Sequence, residues 1–324
     1  RIADCDVIIT NKVLIRQPEI DAAPNLKLIC VAATGVNNVD VDYAAQKGIP
    51  GRNVAGYSTE SVVQVTFMHL LNLFGQGNYF DTRVKNGTYS REGLFTDLSR
   101  SFNEIHGKTL GIMGFGRIGR RVAKLANAFD MKIVAYDPFL PPAVAEKLGV
   151  ELTTVERIFA EADYVSLHIP ENDETRGMIN AKLFALMKEG AMLINCARAG
   201  VINEDDLRAA KAGKKLFFCN DVYPKDAAGP KSVADIADIM APHLGANTYE
   251  ANFQAAKKAA EQTIAYFEQG ITNCVVNKAL PDGLDAQFQK LAFVLTSLAQ
   301  KYLDGMNPTR IETSFYGKLQ QFAK

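Results

Sequence analysis

GKTLGIMGFGRIGRRVAKLANAFDMKIVAYDP, residues 107–138, decides the fold. TLGIMG is an apolar run of strand length. Glycines follow at 114, 116 and 119, then an amphipathic stretch from Arg117 to Phe129, then a second apolar run, KIVAYD, that ends at Asp137. A lone GxGxxG is common in loops. Set between a strand and a helix, with an acidic residue eighteen positions past Gly119, it predicts a βαβ unit that takes a dinucleotide. Gly114 allows the tight turn, Gly116 lets backbone approach a pyrophosphate, and Gly119 lets helix and strand pack closely. The N–H groups and dipole of the helix that starts at Arg117 and Ile118 meet the phosphates. Asp137 stands where a carboxylate bonds ribose hydroxyls. That favours NAD over NADP, because a 2′-phosphate would meet like charge.

Outward from this stretch the same alternation continues. Asp6–Thr10, Leu26–Ala33, Asp163–Pro170, Ala191–Ala197, Leu216–Val222 and Asp238–His243 read as buried strands, with helical patterns such as Ala181–Met187 between them. Alternating strand and helix argues for an α/β fold with a parallel sheet covered on both faces. From Thr248 the pattern changes to one long helix ending at Gly270. A second helical run, QFQKLAFVLTSLAQKYL, and a strand-like ending, RIETSFYGKL, follow. Ser61–Phe80 carries no charge, but Gln64, His69, Asn72 and Gln76 within it make it a buried soluble helix rather than a membrane span.

Composition bounds the partners. Lys plus Arg and Asp plus Glu both number 36 in 324 residues, so the chain lacks the basic excess that nucleic acid or an anionic membrane surface requires. With 48% hydrophobic and 22% charged residues it is globular, not disordered. Five scattered cysteines, at 5, 30, 196, 219 and 274, form no CxxC pair. They read as buried free thiols of a cytoplasmic protein, and no metal site is expected.

Four histidines can be weighed one by one. His69 lies on an apolar helix and reads as packed; His106 reads as surface. His168 ends a strand, where it would line a cofactor crevice. His243, in MAPHLG, also follows a strand and is the best acid/base candidate, because imidazole titrates near neutrality. Arg198, just past another strand end, is either a surface residue or a bidentate carboxylate clamp. Asp221 and Asp226 follow the next strand. Three consecutive strand ends thus carry an arginine, carboxylates and a histidine.

At this point the sequence resembles the D-isomer-specific 2-hydroxyacid dehydrogenase family over nearly its whole length to about Ala279. The resemblance rests on ATGVNNVD (33–40), AAQKGIP (44–50), NVAGYSTESVVQ (53–64), the glycine fingerprint, SLHIPENDETRGMIN (166–180), ALMKEGAMLINCARAGVINEDDL (185–207), DVYPKD and APHLGANT (241–248). It implies two Rossmann-like, doubly wound parallel-sheet domains, with the chain crossing between them twice. Residues 1–57 and 246–285 would form the substrate domain and 58–245 the NAD-binding domain. Residues 286–324 would begin a C-terminal intervening domain. It also implies that a βα unit precedes Arg1.

The resemblance implies roles as well. Arg198 would bind the substrate carboxylate and carbonyl, His243 would donate the proton, and Asp226 would stand where the family has a glutamate bonded to that histidine. Asp221 would lie near the nicotinamide amide. Ile169, Pro170, Thr175, Cys196, Ala197 and Gly245 would join His168 and His243 around the cofactor. Thr34, Gly35 and Val36 would cradle the substrate carboxylate, and Lys12 could meet a phosphate. Two substrates remain open. The C-terminal stretch points to D-3-phosphoglycerate, oxidised in the first step of serine biosynthesis. The ITNKVLI and GYSTES segments point to glycerate dehydrogenases and hydroxypyruvate or glyoxylate reductases. NAD-sensing corepressors share the fold and are the rival from another class. Homodimerisation through the cofactor domains, or a higher homo-oligomer, is a further expectation.

Overall fold

A computed structural model describes residues 2–224, 229–270 and 274–277. It divides into two compact units, one built from residues 1–53 and 262–324, the other from 54–261. The divisions therefore fall at 53/54 and inside the last long helix at 261/262, not at 57/58 and 245/246. Strand pairing in the first unit stops at Asn53, and a single unbroken helix carries the chain across the second division. The expected helical and strand-like stretches beyond residue 277, including the domain expected at 286–324, lie outside the described residues.

The first unit runs β1 (Val7–Thr10), α1 (Gln17–Asp21), β2 (Leu28–Val31), α2 (Val41–Gln46) and β3 (Gly51–Asn53). The three strands pair in parallel in the order β1-β2-β3. Ile8, Ile20, Leu26, Ile29, Val31 and Val39 form its core. β3 escapes the apolar-run criterion, because Gly51, Arg52 and Asn53 are not strand formers. Its Arg52 is fully buried and its Nη1 donates to the Gln262 carbonyl at 2.6 Å.

The second unit runs α3 (Thr59–Gly75), α4 (Gly77–Lys85), α5 (Thr88–Glu92), β4 (Thr109–Met113), α6 (Arg117–Asn127), β5 (Lys132–Tyr136), α7 (Pro142–Glu146), β6 (Glu151–Leu152), α8 (Val155–Glu161) and β7 (Tyr164–Leu167). It continues with α9 (Ala181–Leu186), β8 (Met192–Asn195), α10 (Glu204–Gly213), β9 (Phe217–Asn220), β10 (Ile239–Met240) and α11 (Tyr249–Gln269). The uncharged stretch 61–80 is not one helix. It breaks at Gln76, which sits in the left-handed region at φ 49°. The last strand is likewise shorter than the run 238–243 suggested: it ends at Met240, and His243 lies beyond it.

All seven strands are parallel, in the order β10-β9-β8-β7-β4-β5-β6. Alternate residues of each strand feed opposite cores, as the strand's period of two requires. Leu110, Ile112, Ile133, Tyr164 and Ile194 meet α3 and α6 on one face. Met113, Val134, Val165, Leu193 and Phe218 meet α8 and α9 on the other. The sheet's first strand in sequence, β4, is interior, flanked by β5 on one side and β7 on the other. That is the topological switch point at which open α/β sheets bind ligands, beyond the strands' carboxyl ends. Among the described residues no helix is long and apolar enough to cross a membrane, and no cluster of His, Cys, Asp and Glu is arranged to hold a metal ion.

Candidate active site

At the switch point the glycines behave as their spacing requires. Gly114 has φ +90°, and a Cβ there would lie 2.8 Å from the His168 carbonyl oxygen. At Gly119 a Cβ would come within 2.2 Å of the Gly114 carbonyl oxygen, so only glycine lets α6 start this close to β4. Gly116 is exposed, and a Cβ there would meet no atom within 4 Å. The backbone is therefore bare and open where a pyrophosphate would lie over the N-terminus of α6. Ile118 is half-buried against the core, and Arg117 lies exposed at the first helical position.

Asp137 follows β5 and lies beside this turn. Its Oδ2 accepts from the Phe115 N–H at 3.0 Å and its Oδ1 from the Phe139 N–H at 2.9 Å. Each oxygen keeps a further lone pair for a ribose hydroxyl. The bare Gly116 backbone, the helix N-terminus and this carboxylate fit a dinucleotide.

Beyond β7, His168 Nε2 pairs with Ser166 Oγ at 2.9 Å, its Nδ1 is buried without a partner, and burial pulls its pKa down to about 4. The imidazole is neutral. Ile169 is buried and Pro170 exposed. Thr175 closes the following loop: its hydroxyl donates to the Pro170 carbonyl at 2.7 Å and accepts from the Asn172 N–H at 2.9 Å.

The remaining rim is built on β8, β9 and β10. Cys196 and Ala197 are buried just past β8, and burial pushes the Cys196 thiol up to about 12, which makes it inert at neutral pH. Arg198 is half-buried, and its Nη1 donates to the Ala197 carbonyl at 2.7 Å. Asp221, 1% exposed, accepts from the Leu244 N–H at 2.7 Å and the Gly245 N–H at 2.8 Å. Burial raises its pKa, and the backbone donors from Leu244, Gly245 and His243 oppose that rise. The carboxylate thus clamps the short 3-10 turn Leu244–Ala246. His243, exposed and left-handed at φ 58°, stands at the head of that turn. Gly245 packs tightly against the clamp: a Cβ there would lie 3.0 Å from Asp221 Oδ2 and would push on that carboxylate.

Asp226 lies outside the described residues. In the first unit, Lys12 is exposed in the segment after β1. Thr34, Gly35 and Val36 form the turn after β2, and the Thr34 carbonyl accepts from Asn53 Nδ2 at 2.7 Å.

Three residues were not singled out from the sequence. Asn195 and Asn220, side by side at the ends of β8 and β9, are 1% and 2% exposed and shape the turns that follow. Tyr57 lies near Arg198: burial raises its phenol pKa, while the Ser58 hydrogen bond and the Arg198 charge lower it. No signal in the sequence sets these three apart, because their roles come from cross-strand register and chain return. Of the cysteines, 30, 196 and 219 are buried as expected. Cys274 is exposed and Cys5 half-exposed, contrary to that expectation.

Residues 67–245, more than half of the chain, match the family described as D-isomer specific 2-hydroxyacid dehydrogenase, NAD binding domain. The D-3-phosphoglycerate dehydrogenase of Methanocaldococcus jannaschii is 34% identical over 98% of this chain and 61% of its own length. That of Rattus norvegicus is 33% identical over 90% of this chain and 52% of its own. The chain thus spans between about half and three fifths of these curated relatives. Among solved structures, Aquifex aeolicus D-lactate dehydrogenase complexed with NAD and lactic acid superposes with TM-score 0.74 at 27% identity, covering 86% of this chain and 89% of that one. NAD+-bound 3-phosphoglycerate dehydrogenase of Entamoeba histolytica superposes with TM-score 0.71 at 28% identity, covering 86% and 84%. With an NAD-type turn and a matching parallel-sheet topology, the chain belongs to the D-isomer specific 2-hydroxyacid dehydrogenase family and takes NAD as its cofactor.

Proposed function

We propose that this chain interconverts a D-2-hydroxyacid and its 2-keto acid, with D-3-phosphoglycerate and 3-phosphohydroxypyruvate as the preferred pair. The observation that carries the reaction class is the rim of the seven-stranded sheet. Successive strand ends bring Arg198, Asp221 and His243 to the side of the sheet that bears the dinucleotide turn. The choice of substrate is supported by the phosphoglycerate dehydrogenases named above, which align with up to 98% of the chain.

NAD, when bound, supplies the hydride chemistry. Gly116 and the N-terminus of α6 hold its phosphates, Asp137 its ribose, and neutral His168 lines the same crevice. Arg198 holds the substrate carboxylate and polarises the carbonyl. His243 moves the proton between its imidazole and the substrate's C2 oxygen, helped by Asp226, whose negative charge favours the imidazolium. In the first unit, Thr34, Gly35 and Val36 are the candidates for a carboxylate cradle and Lys12 for a phosphate contact as a point charge.

A panel of 3-phosphohydroxypyruvate, hydroxypyruvate, glyoxylate and pyruvate with NADH tests this reading. The highest kcat/KM is expected with the phosphorylated acid. A preference for hydroxypyruvate or glyoxylate would favour the glycerate dehydrogenase alternative. Tight NADH binding without turnover of any acid would leave a corepressor-like sensor.

We also propose a cytoplasmic homodimer. Buried free thiols at 196 and 219 suit a reducing compartment. Phe95, Leu98 and Phe102 project from the second unit, which also carries an apolar groove lined by Phe67, Met68, Leu71 and Phe129. A protruding and a concave apolar surface on one unit suit reciprocal pairing of two copies. Light scattering reading a monomer mass would refute it.

A further inference from the structure

At the end of β8 one side chain determines the shape of the turn that bears Arg198. Asn195 is 1% exposed, so its amide is out of reach of bulk water and its hydrogen bonds are all internal. Its Oδ1 accepts from the Ala197 N–H at 3.0 Å, and its Nδ2 donates to the Arg198 carbonyl at 3.0 Å. These two bonds hold the peptide planes on either side of the one joining Ala197 to Arg198. The carbonyl of that middle peptide is the acceptor for Arg198 Nη1 at 2.7 Å. The orientation of the guanidinium is therefore referred, through one carbonyl, to the amide of Asn195. The backbone of Asn195 is also tied to the neighbouring strand, where its carbonyl accepts from the Asp221 N–H at 3.0 Å. Beside it Asn220 closes only half of such a turn: its Nδ2 donates to the Val222 carbonyl at 2.6 Å, while its buried Oδ1 accepts no hydrogen bond.

We infer that Asn195 is a positioning residue that fixes the Arg198 guanidinium for a carboxylate-bearing ligand. This rests on the dehydrogenase reading only for the identity of that ligand. An aliphatic side chain at 195 would leave the Ala197 N–H and the Arg198 carbonyl without their partner and free the middle peptide to rotate. The guanidinium would keep its charge and lose its direction. Charge alone attracts an anion, whereas direction is needed for a bidentate grip.

The test is a double-mutant cycle in the full chain, between Asn195→Ala and Arg198→Lys, which keeps the charge and removes the fork. It is read in three ways: KM and kcat with 3-phosphohydroxypyruvate, affinity for oxamate with NADH bound, and affinity for NADH alone. Oxamate carries a carboxylate beside a carbonyl and is not reduced. In the wild-type background Asn195→Ala is expected to weaken oxamate and raise KM by about tenfold or more. In the Arg198→Lys background the same change should cost no more than about twofold, because the direction it protects is already gone. NADH affinity should hold within about twofold throughout. Asn195→Ser keeps an oxygen that can accept from the Ala197 N–H; it should recover part of the loss and serves if the alanine variant does not fold. Equal losses in both backgrounds, or a parallel fall in NADH affinity, would overturn the inference. Absence of wild-type turnover with any keto acid would sink the enzymatic reading and leave the oxamate cycle to judge Asn195. Absence of oxamate binding by the wild type would overturn both.

Discussion

At the end of β4 the chain turns on glycines, whereas at the ends of β8 and β9 it turns on buried polar side chains. The first turn is defined by what is missing: Gly114 and Gly119 leave no room for a Cβ, and Gly116 leaves the backbone bare. The second region is defined by what is present: Asn195, Asn220 and Asp221 each send a buried side chain forward to backbone groups of a later turn. Two histidines of the second unit have pKa values lowered to about 4 by burial. His168 adjoins the glycine turn, where its carbonyl lies 2.8 Å from where a Cβ of Gly114 would be. His69 is buried in α3, the helix whose Val62 lies under Gly245. The difference matches the tasks proposed for the two regions. A pyrophosphate is met by N–H groups and a helix end, which need close approach. A small acid is met by side chains, whose direction must be fixed.

Changes aimed at the two regions should therefore fail differently. His243→Asn carries the largest effect: turnover should fall about 10²–10⁴-fold, with NADH affinity nearly unchanged by fluorescence titration. An equal loss of both would mean that the histidine holds the turn rather than moves a proton.

Gly119→Ala should do the reverse of a purely chemical lesion. Its Cβ would meet a backbone oxygen at 2.2 Å, so α6 must shift, at a cost of about 1–3 kcal/mol in unfolding free energy. NADH should bind about tenfold more weakly, because the N–H groups that meet the phosphates move with the helix. NADH affinity like that of the wild type would show that the glycine spacing is not what shapes the cofactor site.

Asp137→Ala should reduce the preference for NADH over NADPH by about tenfold, the worth of one charge-assisted hydrogen bond, as measured by the ratio of dissociation constants. An unchanged ratio would place discrimination elsewhere.

A last effect, on stability and not on ligands, appears in acid. Burial alone pulls the His69 pKa from 6.5 to about 4, and both ring nitrogens are without partners. Between those values the unfolded chain binds the proton and the fold does not, so stability falls as pH drops from 6.5 towards 4, by up to about 1.4 kcal/mol per unit. His168 adds in the same direction. His69→Leu should flatten that slope in urea midpoints measured across the window. A slope unmoved by the change would assign acid sensitivity to other groups.

The glycine turn was legible because the pattern that marks it lies within one βαβ unit. The periodicity of β4, α6 and β5 and the spacing of three glycines and Asp137 are local properties of the chain. Runs such as Leu28–Val31 and Tyr164–Leu167 were legible for the same reason: both faces are buried, so the apolar run is continuous. β3 and β6 were not, since Gly-Arg-Asn and Glu-Leu acquire strand geometry only from the neighbours they pair with.

Sequence by itself determined the α/β class, the nucleotide turn and the identities of Arg198 and His243 as candidates at strand ends. Only the tertiary structure decided how those two residues are held. Asn195 and Asn220 become neighbours through strand register, and Asp221 reaches Leu244 and Gly245, 23 and 24 residues along the chain. Buried hydrogen bonds between such distant groups depend on which strands lie side by side. That arrangement is a property of the sheet and leaves no period in the sequence.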